Sequence, residues 1–338
     1  MTNIIWGPMI VLYSFITGLV LGSYIISIAP ILFKVRNLEG ISTFSMVTAW
    51  GFLLASPIPL VLELGSPLRA PNIYLYPMPS SVMALFGYIW MIFVILLTTQ
   101  IIVHSRYREA VWFQRASTGI SAIGLVISLI FGGYFGFIIG GMKAREVWSS
   151  TITPITAILS GITAGAALVT LLAIITLGRD GLRKDALNSL GKLTLYFLVI
   201  YLVFTLIELS ITAYAETLIW TKLSILLFGY LALSFIGVQY ILGGLLPIFM
   251  LVTEKVRTST IGSIATSILI LAGVYSYKWN LIIGGQQIVE VSPQLYSLLS
   301  FMPTQTEILA TVGVISLSLF LYVLGLTIFP IPEFKYKR

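Results

Sequence analysis

Glu208 is the ionisable side chain set deepest in an apolar run, for Leu193 to Ile207 precede it without a charge. A carboxyl group inside hydrocarbon is costly. It marks either a proton-linked or ligand-binding role or a hydrogen-bonded structural one, and both readings stand at this point. Tyr134 is a second candidate. It sits in Phe131-Gly132-Gly133-Tyr134-Phe135-Gly136, where a buried hydroxyl needs a partner and the glycines leave room for one, so ligand contact competes with plain helix packing. Glu63, Glu216 and Glu307 fall near segment ends, where capping or an ion pair is as good a use. Thr304, three residues before Glu307, spells a capping box.

What is missing narrows the chemistry further. The chain has no Cys and a single His, His104. It can therefore hold neither an iron–sulfur cluster nor a disulfide. A haem held by two histidines is excluded by the same inventory, as is a zinc site built on Cys and His, so no metal site is expected. His104 stands beside Arg106 and Arg108 and is expected to be a polar cap at a membrane interface.

These residues must be positioned by membrane-spanning helices. Hydrophobic residues make up 58% of the 338 and charged residues only 9%, with a mean hydropathy of +1.03; a soluble domain carries about 25% charged residues. Nine apolar segments run roughly over Ile4–Phe33, Thr43–Leu62, Val82–Val103, Ser117–Ile139, Pro154–Leu177, Leu193–Ala215, Leu223–Val252, Ile261–Tyr277 and Ile308–Phe329. Most reach the ~20 residues needed to cross a ~30 Å hydrocarbon core as a helix. The fold expected is all-α and polytopic, with nine transmembrane helices. The first segment has no basic flank and no small-residue cleavage site, and is expected to be a retained helix rather than a signal peptide.

Loop charge sets the orientation. With the sides alternating from the N-terminus, fourteen of the 19 Lys and Arg residues fall on one side, and Arg69, Lys143, Arg145, Lys222 and Lys278 on the other. The positive-inside rule puts the richer side in the cytoplasm, the N-terminus outside and the C-terminus inside. The net charge of +7 is thereby a topology signal, and no nucleic-acid partner is implied. The long stretches Glu63–Ser81 and Lys278–Glu307 are expected to be non-helical outside loops. Being rich in Pro or Gly and poor in charge, they suit packing against another protein.

Small residues recur in the fourth and fifth segments, from Gly132 to Gly141 and from Ser160 to Ala166, a pattern that lets helices approach closely in lipid. The seventh segment is too long for one perpendicular span, so it should tilt or lay its first turns, near Leu226–Leu231, along the interface. Trp6, Trp148, Trp220 and Trp279 are expected in the outer aromatic belt.

Four outside patches carry a resemblance. They are Trp6-Gly7-Pro8 running into Tyr13-Ser14-Phe15-Ile16-Thr17-Gly18 and Gly22-Ser23; Leu62-Glu63-Leu64-Gly65-Ser66-Pro67-Leu68-Arg69 with Pro77-Met78-Pro79-Ser80-Ser81-Val82-Met83; Tyr134 to Trp148 with Pro154 and Ser160-Gly161; and Trp279-Asn280-Leu281-Ile282-Ile283-Gly284-Gly285-Gln286 with Tyr296, Pro303 and Glu307. In their order and common side they resemble the NrfD/PsrC-like membrane subunits of polysulfide reductase and related molybdoenzyme complexes.

The resemblance implies one transmembrane domain over residues 1–338. It is made of two four-helix bundles, about 4–140 and 154–278, with a peripheral C-terminal helix at about 308–330. It also implies a menaquinone-like or other quinone or quinol in the first bundle near the outside face. A four-cluster ferredoxin-like iron–sulfur subunit would roof it and connect to a molybdopterin catalytic subunit, in the cytoplasmic membrane of a prokaryote. A chain without Cys or paired His must hand its electrons to clusters on such a partner. By matching positions, Tyr134 is the expected donor to a quinone carbonyl, with Tyr13, Thr17, Gly18 and Ser23 shaping the pocket. Glu63 and Glu208 are expected on proton paths; Arg69, Lys143, Arg145, Lys278, Trp279 and Gln286 are expected to dock the partner.

Other readings compete. A quinol-oxidising subunit that feeds a haem protein shares every feature above. A secondary transporter or proton carrier would also use nine helices and a buried Glu, but the two halves show no convincing inverted repeat. A membrane anchor without a quinone site is a third reading.

Overall fold

Backbone polar groups in hydrocarbon must be satisfied within the chain, which makes long apolar runs helical. The computed structural model describes residues 4–63, 65, 67–107, 110, 112–143, 147–214, 218–292 and 295–331. Among them are nine helices long and apolar enough to span a membrane: α1 Pro8–Leu32, α2 Arg36–Glu63, α3 Val82–Arg106, α4 Phe113–Gly140, α5 Thr153–Gly178, α6 Lys184–Tyr214, α7 Leu233–Val252, α8 Thr260–Gln287 and α9 Gln305–Ile328. One two-stranded antiparallel hairpin, β1 Ile288–Ser292 and β2 Leu295–Leu298, with Ile288 opposite Leu298, follows α8.

Helices α1 to α4 pack as a ring, each on the next and α4 back on α1; α5 to α8 close a second ring in the same way. The rings meet where α1 lies on α5, and α9 runs along α2. The central element is α1, with 94% of its most apolar window buried. Its contact with α5 is made by two pairs of glycines. A Cβ on Gly18 would stand 3.0 Å from the Gly161 Cα, and one on Gly165 only 2.4 Å from the Gly22 Cα. Spacing of four places each pair on one helix face, so the backbones touch.

Several boundaries differ from expectation. The second span starts with a 3-10 turn, Arg36–Ile41, and is interrupted between Ala55 and Ile58; Pro57 and Pro59 each remove a backbone donor there. The seventh segment breaks at Gly229 (φ −112°, ψ −118°). Leu218–Ile225 forms a separate short helix before α7 proper. The eighth does not stop at Tyr277. It continues through a π turn at Asn280–Gly284 to Gln287, because Leu281, Ile282 and Ile283 prolong the apolar run. Much of α7 is also π-helical, over Leu233–Leu245, a geometry that concentrates at functional sites.

One interfacial assignment changes, that of Trp148, while His104 keeps its place in the last turn of α3. His104 is only 7% exposed and shares a hydrogen bond with Ser117 (2.7 Å). Trp148 is buried too. Its Nε1 donates to the Leu281 carbonyl (2.7 Å) and its ring stacks on Trp6 at 5.1 Å, at the seam of the two bundles rather than in a lipid belt. Glu307 closes the capping box with Thr304 at the start of α9.

Candidate functional site

At the face that carries the N-terminus, the first bundle opens into a cavity of about 410 Å³. Ile10 and Tyr13 share one face of α1, and Trp6 extends that face one turn earlier. With Leu60 at the end of α2, Val82, Met83 and Phe86 at the start of α3 and Phe135 near the end of α4, they form its walls. Ser81 fixes the start of α3 by accepting from the Ala84 N–H at 3.4 Å. Tyr13 is held edge-on between Phe86 (5.0 Å) and Phe135 (5.5 Å). Among the described residues no hydrogen bond is found from its hydroxyl, the polar group best placed in an otherwise apolar wall.

The residues expected around a ligand divide. Tyr134 lies at the rim rather than in the wall, and its hydroxyl donates to the Val82 carbonyl. Thr17 donates to the Ser14 carbonyl at 3.1 Å. Gly18 and Ser23 are not cavity residues. Gly18 has turned about 140° from Tyr13 around the helix and packs on Gly161, while Ser23 is fully buried with an unpaired hydroxyl. The α1 surface that contacts α5 is a different one from the surface that faces the cavity.

Glu63 accepts the Gly7 N–H at 2.9 Å, at the N-terminus of α1, where a carboxylate complements the helix dipole. Gln286 does not face outward for docking. It is 2% exposed; its Oε1 accepts from the Ile5 and Trp6 N–H groups (3.0 Å each) and its Nε2 donates to the Trp6 carbonyl (2.9 Å), tying the end of α8 to the lead-in of α1. Lys278 is equally buried, its Nζ 5.2 Å from the Tyr277 ring centroid. Trp279 packs on Tyr275 and Phe301. Arg69 and Lys143 are exposed. Arg145 and Glu216 lie outside the described residues.

The second bundle has its own cavity, about 390 Å³, lined by Glu208 together with Ser150, Gln239, Tyr240, Tyr277 and Asn280. Thr153 donates to the Glu208 carboxylate at 3.3 Å. Ser234 donates to Asn280 Oδ1 (2.7 Å), and Asn280 Nδ2 to Gln239 Oε1 (2.9 Å). Gln239 was not singled out by the sequence, and Asn280 only as part of the fourth patch, although a polar amide in an apolar run is itself a signal. The remaining cavity walls, such as Phe86 and Phe135, carry no signal of their own, because aromatic residues in a span are ordinary core.

Among the described residues, eight apolar helices in two rings with a cavity in each, and a ninth along α2, define an integral membrane protein. The chain belongs to the NrfD polysulphide reductase family, whose model, described as "Polysulphide reductase, NrfD", matches residues 1–290. It is 24% identical to a protein of Mesobacillus selenatarsenatis named as a subunit of selenate reductase, over 98% of this chain and 87% of that protein. It is also 24% identical to a Halobacterium salinarum protein named as a membrane subunit of dimethyl sulfoxide reductase, over 96% of this chain and 83% of that one.

Proposed function

We propose that this chain is the quinone-reactive membrane subunit of a multisubunit oxidoreductase. It exchanges electrons with an iron–sulfur subunit, which connects to a molybdopterin catalytic subunit. The observation that carries this reading is the aromatic cavity of the first bundle with Tyr13 in its wall. Two relatives named as subunits of reductases support the assembly.

The residues present fit a quinone ring. The cavity volume lies in the ~300–1,000 Å³ range of small-molecule sites, and an apolar wall with one placed polar group is their usual make-up. When bound, the ring releases two electrons and two protons on oxidation and takes up the same on reduction. The chain orients it. Tyr13 donates to a ring oxygen, Phe86 and Phe135 hold the phenol, and Trp6 closes the side toward the second bundle. Tyr134 anchors the start of α3 through Val82 and so shapes the rim. Glu63 lies one turn beyond Leu60, a wall residue, and is the proton-exchange group at this cavity; Glu208 is the corresponding carboxylate in the second bundle.

The positive-inside rule puts this face outside. Its loop exposes Leu68 (94%), Tyr76 (73%) and Met78 (65%) beside Arg69, with Lys143 also exposed. Apolar groups rimmed by cations make a docking surface for the iron–sulfur subunit.

The test is saturable quenching of tryptophan fluorescence by a short-chain quinone on the purified chain. Tyr13→Phe should weaken binding about fivefold, the worth of one hydrogen bond of ~1 kcal/mol. Tyr134→Phe should weaken it less than twofold. A larger loss in Tyr134→Phe would return the donor role to Tyr134, and a wild-type chain that binds nothing would remove the quinone reading.

A further inference from the structure

The cavity of the second bundle is built differently from that of the first, and its polar groups define what it can hold. Its apolar side is formed by Leu209, Ile211, Leu226 and Phe235. Ile211 is 56% exposed, so the cavity reaches the flank of the bundle, whereas Gln239 and Asn280, both 2% exposed, lie deep. The ring-sized volume, about 390 Å³, is close to that of the first cavity.

Two groups in it point to one ligand chemistry. Glu208 supplies a carboxylate. Among the described residues the sole ion pair is Arg183–Asp185, so no described cation neutralises Glu208. Gln239 supplies the complementary group. The chain of bonds from Ser234 to Asn280 to Gln239 uses its Oε1 as an acceptor, and an amide whose oxygen is engaged in this way presents its NH₂ as donor. A hydroquinone can satisfy both, giving a hydroxyl proton to the Glu208 carboxylate and accepting at an oxygen from the Gln239 amide. A metal or ammonium cation would gain from Glu208 but meet donor hydrogens at Gln239. An anion would meet Glu208. The segments that carry Gln239, Tyr240 and Asn280 are π-helical, as helices at ligand sites often are.

We infer that the second bundle holds a second, independent binding site for an aromatic hydroxyl compound of the hydroquinone class, with Glu208 as acceptor and Gln239 as donor. The choice of hydroquinone rests on the quinone reading of the first cavity; the site itself rests on the second. The two cavities lie on either side of the Trp6–Trp148 stack, since Trp6 lines the first and Trp148 is bonded to Leu281, a wall residue of the second.

Equilibrium dialysis of the purified full chain against radiolabelled 2,3-dimethyl-1,4-naphthohydroquinone, kept reduced, counts the sites. Two per chain are expected in the wild type. Glu208→Gln, which keeps the shape of the side chain, should weaken one of them at least tenfold, as should Gln239→Leu. Tyr13→Phe should affect only the other. The Glu208-dependent site should also prefer the hydroquinone over the oxidised quinone, which has no hydroxyl to give, and Glu208→Gln should abolish that preference; a purely structural glutamate would not produce it. A single site weakened by Tyr13→Phe and untouched by Glu208→Gln overturns this inference and leaves the first cavity standing. A single site weakened by Glu208→Gln alone supports the second cavity and removes the quinone from the first. Absence of any binding overturns both.

Discussion

Tyr13 and Tyr134 show how little residue type decides on its own. Both are tyrosines near aromatic and small neighbours, yet one lines a cavity with no hydrogen bond found from its hydroxyl among the described residues, and the other is spent on a backbone carbonyl. Lys278 makes the same point for charge. At 2% exposure, with its ammonium against the Tyr277 ring, it belongs to the packing at the end of α8. A cation–π contact offsets part of its desolvation, and an apolar side chain of similar length would need no such offset. Lys278→Met is therefore expected to leave the melting temperature in detergent unchanged or raise it, whereas Lys278→Glu, which buries a carboxylate with no cation beside it, should lower it clearly. A large loss of stability in Lys278→Met would reveal a partner that the packing does not show.

The spans are held by close backbone approach and by caps. Gly165 and Gly22 leave no room for a side chain at the α1–α5 seam, so Gly165→Leu should cost about 1–3 kcal/mol, the usual range for overpacking, and should lower the thermal midpoint. Gly119 has nothing within 4 Å of where a Cβ would stand. There, Gly119→Ala is expected to be neutral or mildly stabilising, since alanine favours helix. At the other face Arg257, 6% exposed, donates to the Leu251 carbonyl and to Asn188 Oδ1 (2.7 Å each), closing the C-terminal end of α7 and fastening it to α6. An arginine there meets the last carbonyls of a helix. Arg257→Leu strands those acceptors, and the expected loss is about 1–3 kcal/mol per buried unpaired group, again read as a fall in the thermal midpoint.

For the whole molecule, orientation is the prediction that loop charge makes and the fold alone does not. The natural chain has no Cys, so single cysteines report cleanly. In right-side-out vesicles an impermeant thiol reagent should label Lys143→Cys at once and Lys255→Cys only after the membrane is opened; both positions are exposed. The reverse pattern would invert the topology and put the first cavity on the cytoplasmic side. The division into two rings also has a functional sense. Each ring holds one cavity, and the seam between them carries the Trp6–Trp148 stack and the Gln286 tie.

Composition and periodic apolar runs were enough to read nine spans, because hydrocarbon accepts a backbone only as helix and so leaves its mark on every residue of a span. The capping box at Thr304–Glu307 was legible for a similar reason, being local in sequence. The end of α8 was not, since a π turn carries the helix past Lys278 and no local rule marks where such a turn begins. Which tyrosine faces a cavity, that Gly18 serves the α1–α5 contact, and that Gln286 holds the N-terminal lead-in were decided by tertiary structure alone. Each depends on the rotation of one helix against another, and that angle is set by side chains far apart in the chain.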